Sequence, residues 1–123
     1  MLGLANRALW LCGSWVSPVS WQFDLVVSNP PYIASGAIAT LDRGVRAYDP
    51  ALALDGGPDG LAAYRAIIPA LRPVMQPTGA AFLEIGCTQA AEVTGIARRS
   101  GFHAQTAMDL AGMPRCVALM PEI

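Results

Sequence analysis

Lysine is missing altogether: all eight basic residues of this 123-residue chain are arginines, set against nine acidic ones for a net charge of −1. Charge of either sign is scarce, at 14% of residues. Sequence-independent nucleic-acid binding rests on a dense Lys/Arg face, so that class is excluded, although isolated contacts to a phosphate are not. The three cysteines (Cys12, Cys87, Cys116) include no Cys-x-x-Cys pair, and His103 is the single histidine. Neither a structural zinc site nor a disulfide framework is expected from such a set. Long apolar runs are missing too, despite 54% hydrophobic residues and a mean hydropathy of +0.41. The longest charge-free stretch, Leu25 to Leu41, is broken by Ser28, Asn29, Pro30, Pro31, Ser35 and Gly36. It cannot supply the roughly 20 apolar residues of a membrane span. Near the N-terminus, Arg7 is followed only by Ala8–Cys12, shorter than the roughly 7–15-residue core of a secretory leader. The expectation is a soluble, cytosolic chain with residues for a single domain.

What is present is a set of short apolar runs bounded by turn residues: Ala8 to Cys12, Phe23 to Ser28, Ala80 to Gly86 and Arg115 to Met120. Phe23–Ser28 lacks clean alternation, as a strand covered on both faces of a parallel sheet would. Between the runs lie helical spacings. Leu61, Tyr64, Ile67, Ile68 and Leu71 predict a helix over Leu61–Arg72, with Asp59 capping its first turn and Pro69 kinking it or ending it early. Ala90, Val93, Ile96 and Ala97 predict a second over Thr88–Ser100, with Arg98 and Arg99 in the last turn and Gly101 as the stop. Strands alternating with helices specify an α/β fold.

The sharpest chemical feature is Asn29-Pro30-Pro31-Tyr32, placed directly after the strand Phe23–Ser28. Ligands of open α/β sheets bind beyond the carboxyl ends of strands. Two prolines remove two backbone donors and leave carbonyls that only accept. Asn29 adds a side-chain acceptor and an NH2 donor, and Tyr32 a flat ring. Such a set suits a planar NH2 group, its hydrogens held on acceptors and its plane stacked. An amide or aryl-amine nitrogen is a poor nucleophile, and this grip favours charge building on nitrogen as it attacks an electrophile. The same four residues would also serve as an ordinary turn with a packed tyrosine.

The stretch Phe23 to Ile33, Phe-Asp-Leu-Val-Val-Ser-Asn-Pro-Pro-Tyr-Ile, resembles the signature of S-adenosylmethionine-dependent amino methyltransferases. It is most similar to the glutamine-N5 methyltransferases of peptide-chain release factors (the HemK/PrmC type). Tyr48-Asp49-Pro50, Ala53-Leu54-Asp55-Gly56-Gly57, Asp59-Gly60-Leu61 and Tyr64-Arg65 look like that family's segment after the catalytic loop. Glu84-Ile85-Gly86 with Gln89, Asp109-Leu110-Ala111-Gly112 and Arg115 match its closing half. The resemblance runs from about Gly3 to Met120. It implies that Asn29 contacts both the methyl donor and the target amide, and that Pro30, Pro31 and Tyr32 complete the substrate cradle. Trp15 matches a cofactor-side position flanking the adenine. Ser14 stands where the family has aspartate, which weakens the hydrogen bond inferred there to the adenine amino group.

The implied fold is a Rossmann-like class I methyltransferase: a mostly parallel sheet with a reversed last strand, in the strand order 3-2-1-4-5-7-6. Methyltransferases of this fold hold the donor with a Gly-rich loop after the first strand, and no Gly-x-Gly-x-Gly run occurs here. Residues 1–123 are therefore expected to form a partial catalytic domain, from the third strand onward. The Phe23–Ser28 strand would then lie at an uncovered apolar edge. The implied cofactor is S-adenosylmethionine and the implied partners are release factors, with no membrane or direct nucleic-acid partner. The competing readings are an adenine-N6 or ribosomal-protein glutamine methyltransferase, and an inactive truncated product. Lesser candidates have plainer expectations: Asp55–Gly60 a turn into a helix rather than a cation loop, Glu84 a satisfied carboxylate, Asp109 and Arg115 an ion pair at a turn, and His103 a surface residue at a strand start.

Overall fold

The computed structural model describes residues 3–41 and 50–123; of the family-like segments, Tyr48 and Asp49 lie outside them. Four strands form one sheet: β1 (Phe23–Ser28), β2 (Met75–Glu84), β3 (Phe102–Met108) and β4 (Pro114–Pro121), in the order β1-β2-β4-β3. β1 runs parallel to β2, whereas β4 is antiparallel to both β2 and β3. The expected reversal of the last strand is observed, and the order reproduces the last four places of 3-2-1-4-5-7-6.

Two helices supply the other layer. α1 (Ala62–Leu71) buries Ala63, Tyr64, Ile67, Ile68 and Leu71, and α2 (Ala90–Arg99) buries Val93, Thr94, Ile96 and Ala97. These side chains join Ala81 and Leu83 of β2, Phe102 of β3, and Val117 and Leu119 of β4 in one core, with Val26 of β1 packed at its margin. α2 stops where the sequence predicts, with Gly101 at φ +85°. Pro69, however, does not end α1 early. The helix runs two residues past it and then tightens into a 3₁₀ turn at Arg72–Val74. Proline deletes one hydrogen bond of the ladder, and this close to the C-terminus the buried Ile68 and Leu71 on either side outweigh that loss. Asp59 does not cap the helix, whose N-cap is Leu61, but braces the chain three residues ahead of Ala62. Its carboxylate accepts from the Leu61 amide at 3.0 Å and pairs with Arg65. That pairing, followed by the amide, holds the Asp59 carboxyl at about 2.

Two sequence expectations fail. Ala8–Cys12 is not a strand: it pairs with neither free edge of the sheet, and Leu9, Trp10 and Leu11 are exposed. Val16 and Val19, further along, reach the core instead. β1 has the predicted boundaries but is not covered on both faces. Both helices lie on the side of Val26 and Ala81, so the opposite face leaves Leu25 57% and Val27 71% exposed, beside Phe82 at 39%. β1 is an edge strand, as the resemblance implied, and its second face is bare among the described residues.

Packing on one face only has a measurable consequence. Leu83→Ala removes a fully buried side chain and should cost about 2–5 kcal/mol in urea unfolding. Val27→Ala, on the opposite face and paired with Phe82, should stay within about 0.5 kcal/mol. A Val27→Ala cost above about 1 kcal/mol would show that this face is covered.

Candidate functional site

The carboxyl ends of β1 and β2 and the start of β4 converge at one edge of the sheet, and Asn29–Tyr32 leaves β1 there. Asn29 is exposed, and its side chain makes no hydrogen bond to any described residue. Pro30 is fully buried and anchors the loop. Pro31 and Tyr32, both half-buried, face different hollows. Pro31 shares a cavity of about 500 Å³ with Gly13, Ser14, Trp15 and Leu52. Tyr32 lines one of about 720 Å³ with Cys87, Gln89 and Arg115. The tetrad is thus the wall between a hollow bearing Trp15 and a second one beyond Tyr32. Of the expected site residues, Asn29 and Pro30 are in neither lining and lead into Pro31 from the end of β1.

Trp15 is held in an unusual way. Its φ is +52°, the only positive value at a described non-glycine residue. The conformation costs about 1–2 kcal/mol for an L-residue. A tight turn imposes it, closed by the Ser17 amide donating to the Ser14 carbonyl at 3.0 Å, with Val16 and Val19 pinned in the core on its far side. The indole is left 46% exposed over the smaller hollow.

On the other side, Tyr32 belongs to a polar chain. Its hydroxyl donates to Glu84 Oε1 at 3.3 Å, and the Tyr64 hydroxyl donates to the Glu84 backbone carbonyl at 2.6 Å. Burial, then the nearby Glu84 carboxylate and its hydrogen bond, push the Tyr32 phenol above its ordinary value, while Arg115 pulls it back. Tyr32 therefore stays neutral throughout the physiological range. Burial, with the two neighbouring acids, likewise raises the Tyr64 phenol far up. Arg115 pairs with Asp109 at 3.4 Å, as the sequence predicts, and that carboxylate also takes the Ala111 and Met113 amides of the β3–β4 turn. Asp55 accepts from the Ser35 hydroxyl at 2.6 Å and the Gly57 amide at 2.9 Å, which makes Asp55–Gly60 a turn braced against the tetrad loop. His103 sits on the surface beside Glu122.

Sequence reasoning treated Gln89 only as part of a matching segment, yet the structure puts it at the centre of this edge. Its Nε2 donates to the Tyr32 carbonyl at 2.9 Å and the Gly60 carbonyl at 3.0 Å, while its Oε1 accepts from the Gly86 amide at 2.9 Å. The available signal was a long side-chain amide just ahead of a helix and three residues after a strand-end glycine.

No family model matches the chain. Among curated proteins it is 43% identical over 117 residues to the release factor glutamine methyltransferase of Rhodospirillum rubrum, covering 94% of this chain and 36% of that protein. It is 47% identical over 118 residues to the protein of the same name from Caulobacter vibrioides, covering 94% of this chain and 41% of the relative. The chain thus spans about two fifths of the length of the curated relatives it matches. Among solved structures, the release-factor-specific protein-(glutamine-N5) methyltransferase of Alicyclobacillus acidocaldarius superposes with a TM-score of 0.51 at 32% identity, over 83% of this chain and 50% of that one. A ribosomal protein L11 methylase from Lactobacillus delbrueckii subsp. bulgaricus has a TM-score of 0.57 at 17% identity, over 90% of this chain and 42% of that one, a likeness of fold.

The Tyr32 chain of contacts has a signed consequence. Glu84→Gln should lower the Tyr32 pKa partway toward the ordinary phenol value, because burial, the larger cause, remains. Arg115→Gln should raise it further. Both are readable by NMR titration of ¹³Cζ-labelled tyrosine, and a Tyr32 curve unmoved by Glu84→Gln would contradict the contact.

Proposed function

Since the chain is related over nearly its whole length to a segment of the release factor glutamine methyltransferases, we propose that it carries the acceptor side of a glutamine-N5 methyl-transfer site. The acceptor is the Gly-Gly-Gln glutamine of a peptide-chain release factor. One observation carries the reading. Asn29, its amide unengaged, stands at the carboxyl end of β1 on the loop that separates the Trp15 hollow from the Tyr32 hollow.

The residues divide the work as follows. The Asn29 side-chain carbonyl and the proline carbonyls accept the two hydrogens of the target amide, which the prolines cannot compete for because they have no N–H. The neutral Tyr32 ring flanks the amide plane. Its hydroxyl is turned away to Glu84, so it neither donates to nor repels the nitrogen. Holding the hydrogens on acceptors favours the positive charge that builds on nitrogen as it attacks, and fixing the plane aims its lone pair.

The methyl donor would be S-adenosylmethionine. It supplies a sulfonium methyl group, the carbon passing to nitrogen as sulfur becomes a thioether and the amide sheds one proton. The hollow under Trp15 fits one part of that molecule. Trp15, Pro31 and Leu52 offer flat and apolar walls for an adenine ring, and Ser14 provides a hydroxyl in place of a carboxylate. The sequence contains no Gly-rich loop for the remainder.

The proposal is tested by titrating the ¹⁵N-labelled chain with a Gly-Gly-Gln peptide. Shifts should centre on the Asn29 side chain and Tyr32, weaken at least about tenfold in Asn29→Ala, consistent with loss of ~1–2 kcal/mol of hydrogen bonding, and be absent with a Gly-Gly-Glu peptide. Equal response to both peptides would sink the reading. Calorimetry of the 123-residue chain with S-adenosylmethionine should show no saturable binding, and micromolar affinity would overturn the division of the site described above.

A further inference from the structure

We infer that Gln89 is a positioning residue of this site. Its side-chain amide holds the Asn29–Tyr32 loop, the Asp55–Gly60 turn and the end of β2 in one fixed relation. Three observations converge on it. Both hydrogens of Nε2 are used, one on the Tyr32 carbonyl and one on the Gly60 carbonyl, and Oε1 takes the Gly86 amide, at 2.9 to 3.0 Å. The three anchors belong to separate segments: backbone pairing at Ile33 and Asp55 joins the loop to the turn, and the Gln89 amide ties both to the end of β2. The space around it admits no larger residue. A Cβ at Gly60, whose φ is +76°, would meet the Tyr32 carbonyl at 2.5 Å and Gln89 Nε2 at 2.9 Å, and one at Gly86 would lie 3.1 Å from Gln89 Oε1. Two glycines thus bring their backbones up to one amide.

A primary amide is the side chain that fits. Two carbonyls need two donors, and the Gly86 amide needs an acceptor on the same planar group. Glutamate would supply the acceptor and face both carbonyls with a negative charge. Tyr32 is the last residue of the tetrad, and its ring and carbonyl leave the same backbone in different directions. Fixing the carbonyl therefore sets where the ring stands. Gln89 acts on the site through Tyr32 and does not itself touch a reacting atom. This role deepens the glutamine-methylation reading and depends on it only for what the loop grips.

The experiment is amide hydrogen exchange of the full 123-residue chain, read by NMR for wild type, Gln89→Glu and Gln89→Met. Ser35 and Gly56 report on the loop. The Ser35 amide donates to the Gly57 carbonyl at 2.9 Å and the Gly56 amide to the Ile33 carbonyl at 2.7 Å, bridging the tetrad loop to the turn. In both variants their exchange should accelerate about tenfold or more, as expected when two hydrogen bonds are lost. Gly86 should remain protected in Gln89→Glu, which keeps its acceptor, and lose protection in Gln89→Met. Unchanged exchange at Ser35 and Gly56 in folded Gln89→Glu would overturn the inference and leave Gln89 as a brace for the start of α2. Should Gln89→Met fail to fold, Gln89→Glu decides alone. A parallel titration with the Gly-Gly-Gln peptide separates the two claims. A wild type that ignores the peptide counts against the glutamine reading only, and the clamp is judged by exchange. A wild type that binds, with Gln89→Glu at least about fivefold weaker, supports both.

Discussion

One part-buried hydrogen bond ties the core to the site: the Tyr64 hydroxyl donating to the backbone carbonyl of Glu84 at 2.6 Å. Tyr64 is fully buried on α1, and Glu84 is the last residue of β2, the strand that joins β1 to the antiparallel pair. A carbonyl at the end of a strand has no ladder partner guaranteed, and leaving it unpaired in the interior would cost about 1–3 kcal/mol. Tyr64 satisfies it and locks α1 to the point where β2 ends. From there the Glu84 side chain reaches the Tyr32 hydroxyl, and Gly86, two residues on, reaches Gln89. The position of the tetrad loop is thus inherited from the core through two residues of β2's end rather than set by the loop itself.

That dependence explains what could be read from the sequence. β1 was legible to the residue, and both helices to within two residues at either end, because their patterns reflect burial against a core that lies within this chain. Ala8–Cys12 has the same apolar character as a strand, yet strand formation needs a second backbone, and no pattern within the run tells whether one is at hand. Pro69 misled for a related reason: its local cost is fixed, but the buried Ile68 and Leu71 that offset it are known only once the sheet is placed. The tetrad stands out because prolines and an asparagine directly after a strand are a local pattern. Gln89 was not, since its partners Tyr32, Gly60 and Gly86 lie 57, 29 and 3 residues away. The φ of Trp15 was equally hidden, as a turn closed by Ser14 and Ser17 leaves no mark on the residue between them.

The bare face of the sheet follows from the same geometry. Leu25, Val27 and Phe82 are strand residues of the kind found under a covering layer, and α1 and α2 both lie on the other side. The chain spans about two fifths of its relatives' length, and it contains the strand order, the tetrad loop and the Trp15 wall described above. The high apolar fraction of the sequence therefore measures two different things: a core that is complete on the helix side, and strand surface that meets solvent.

With no base beside the tetrad among the described residues, the proposed reading is chemically coherent because the attacking atom would be an amide nitrogen. A base strong enough to remove its proton beforehand would have to be buried and charged, at a cost of several kcal/mol. Here the titratable neighbours are spent elsewhere. Glu84 faces the Tyr32 hydroxyl, Asp55 holds Ser35 and Gly57, Asp59 holds Arg65, and Asp109 holds Arg115. What remains at the tetrad is an unengaged amide, proline carbonyls and a neutral ring. On the proposed reading, that arrangement would stabilise charge as it forms on nitrogen instead of creating it in advance, and the seating of the loop would matter more than the acidity of any group in it.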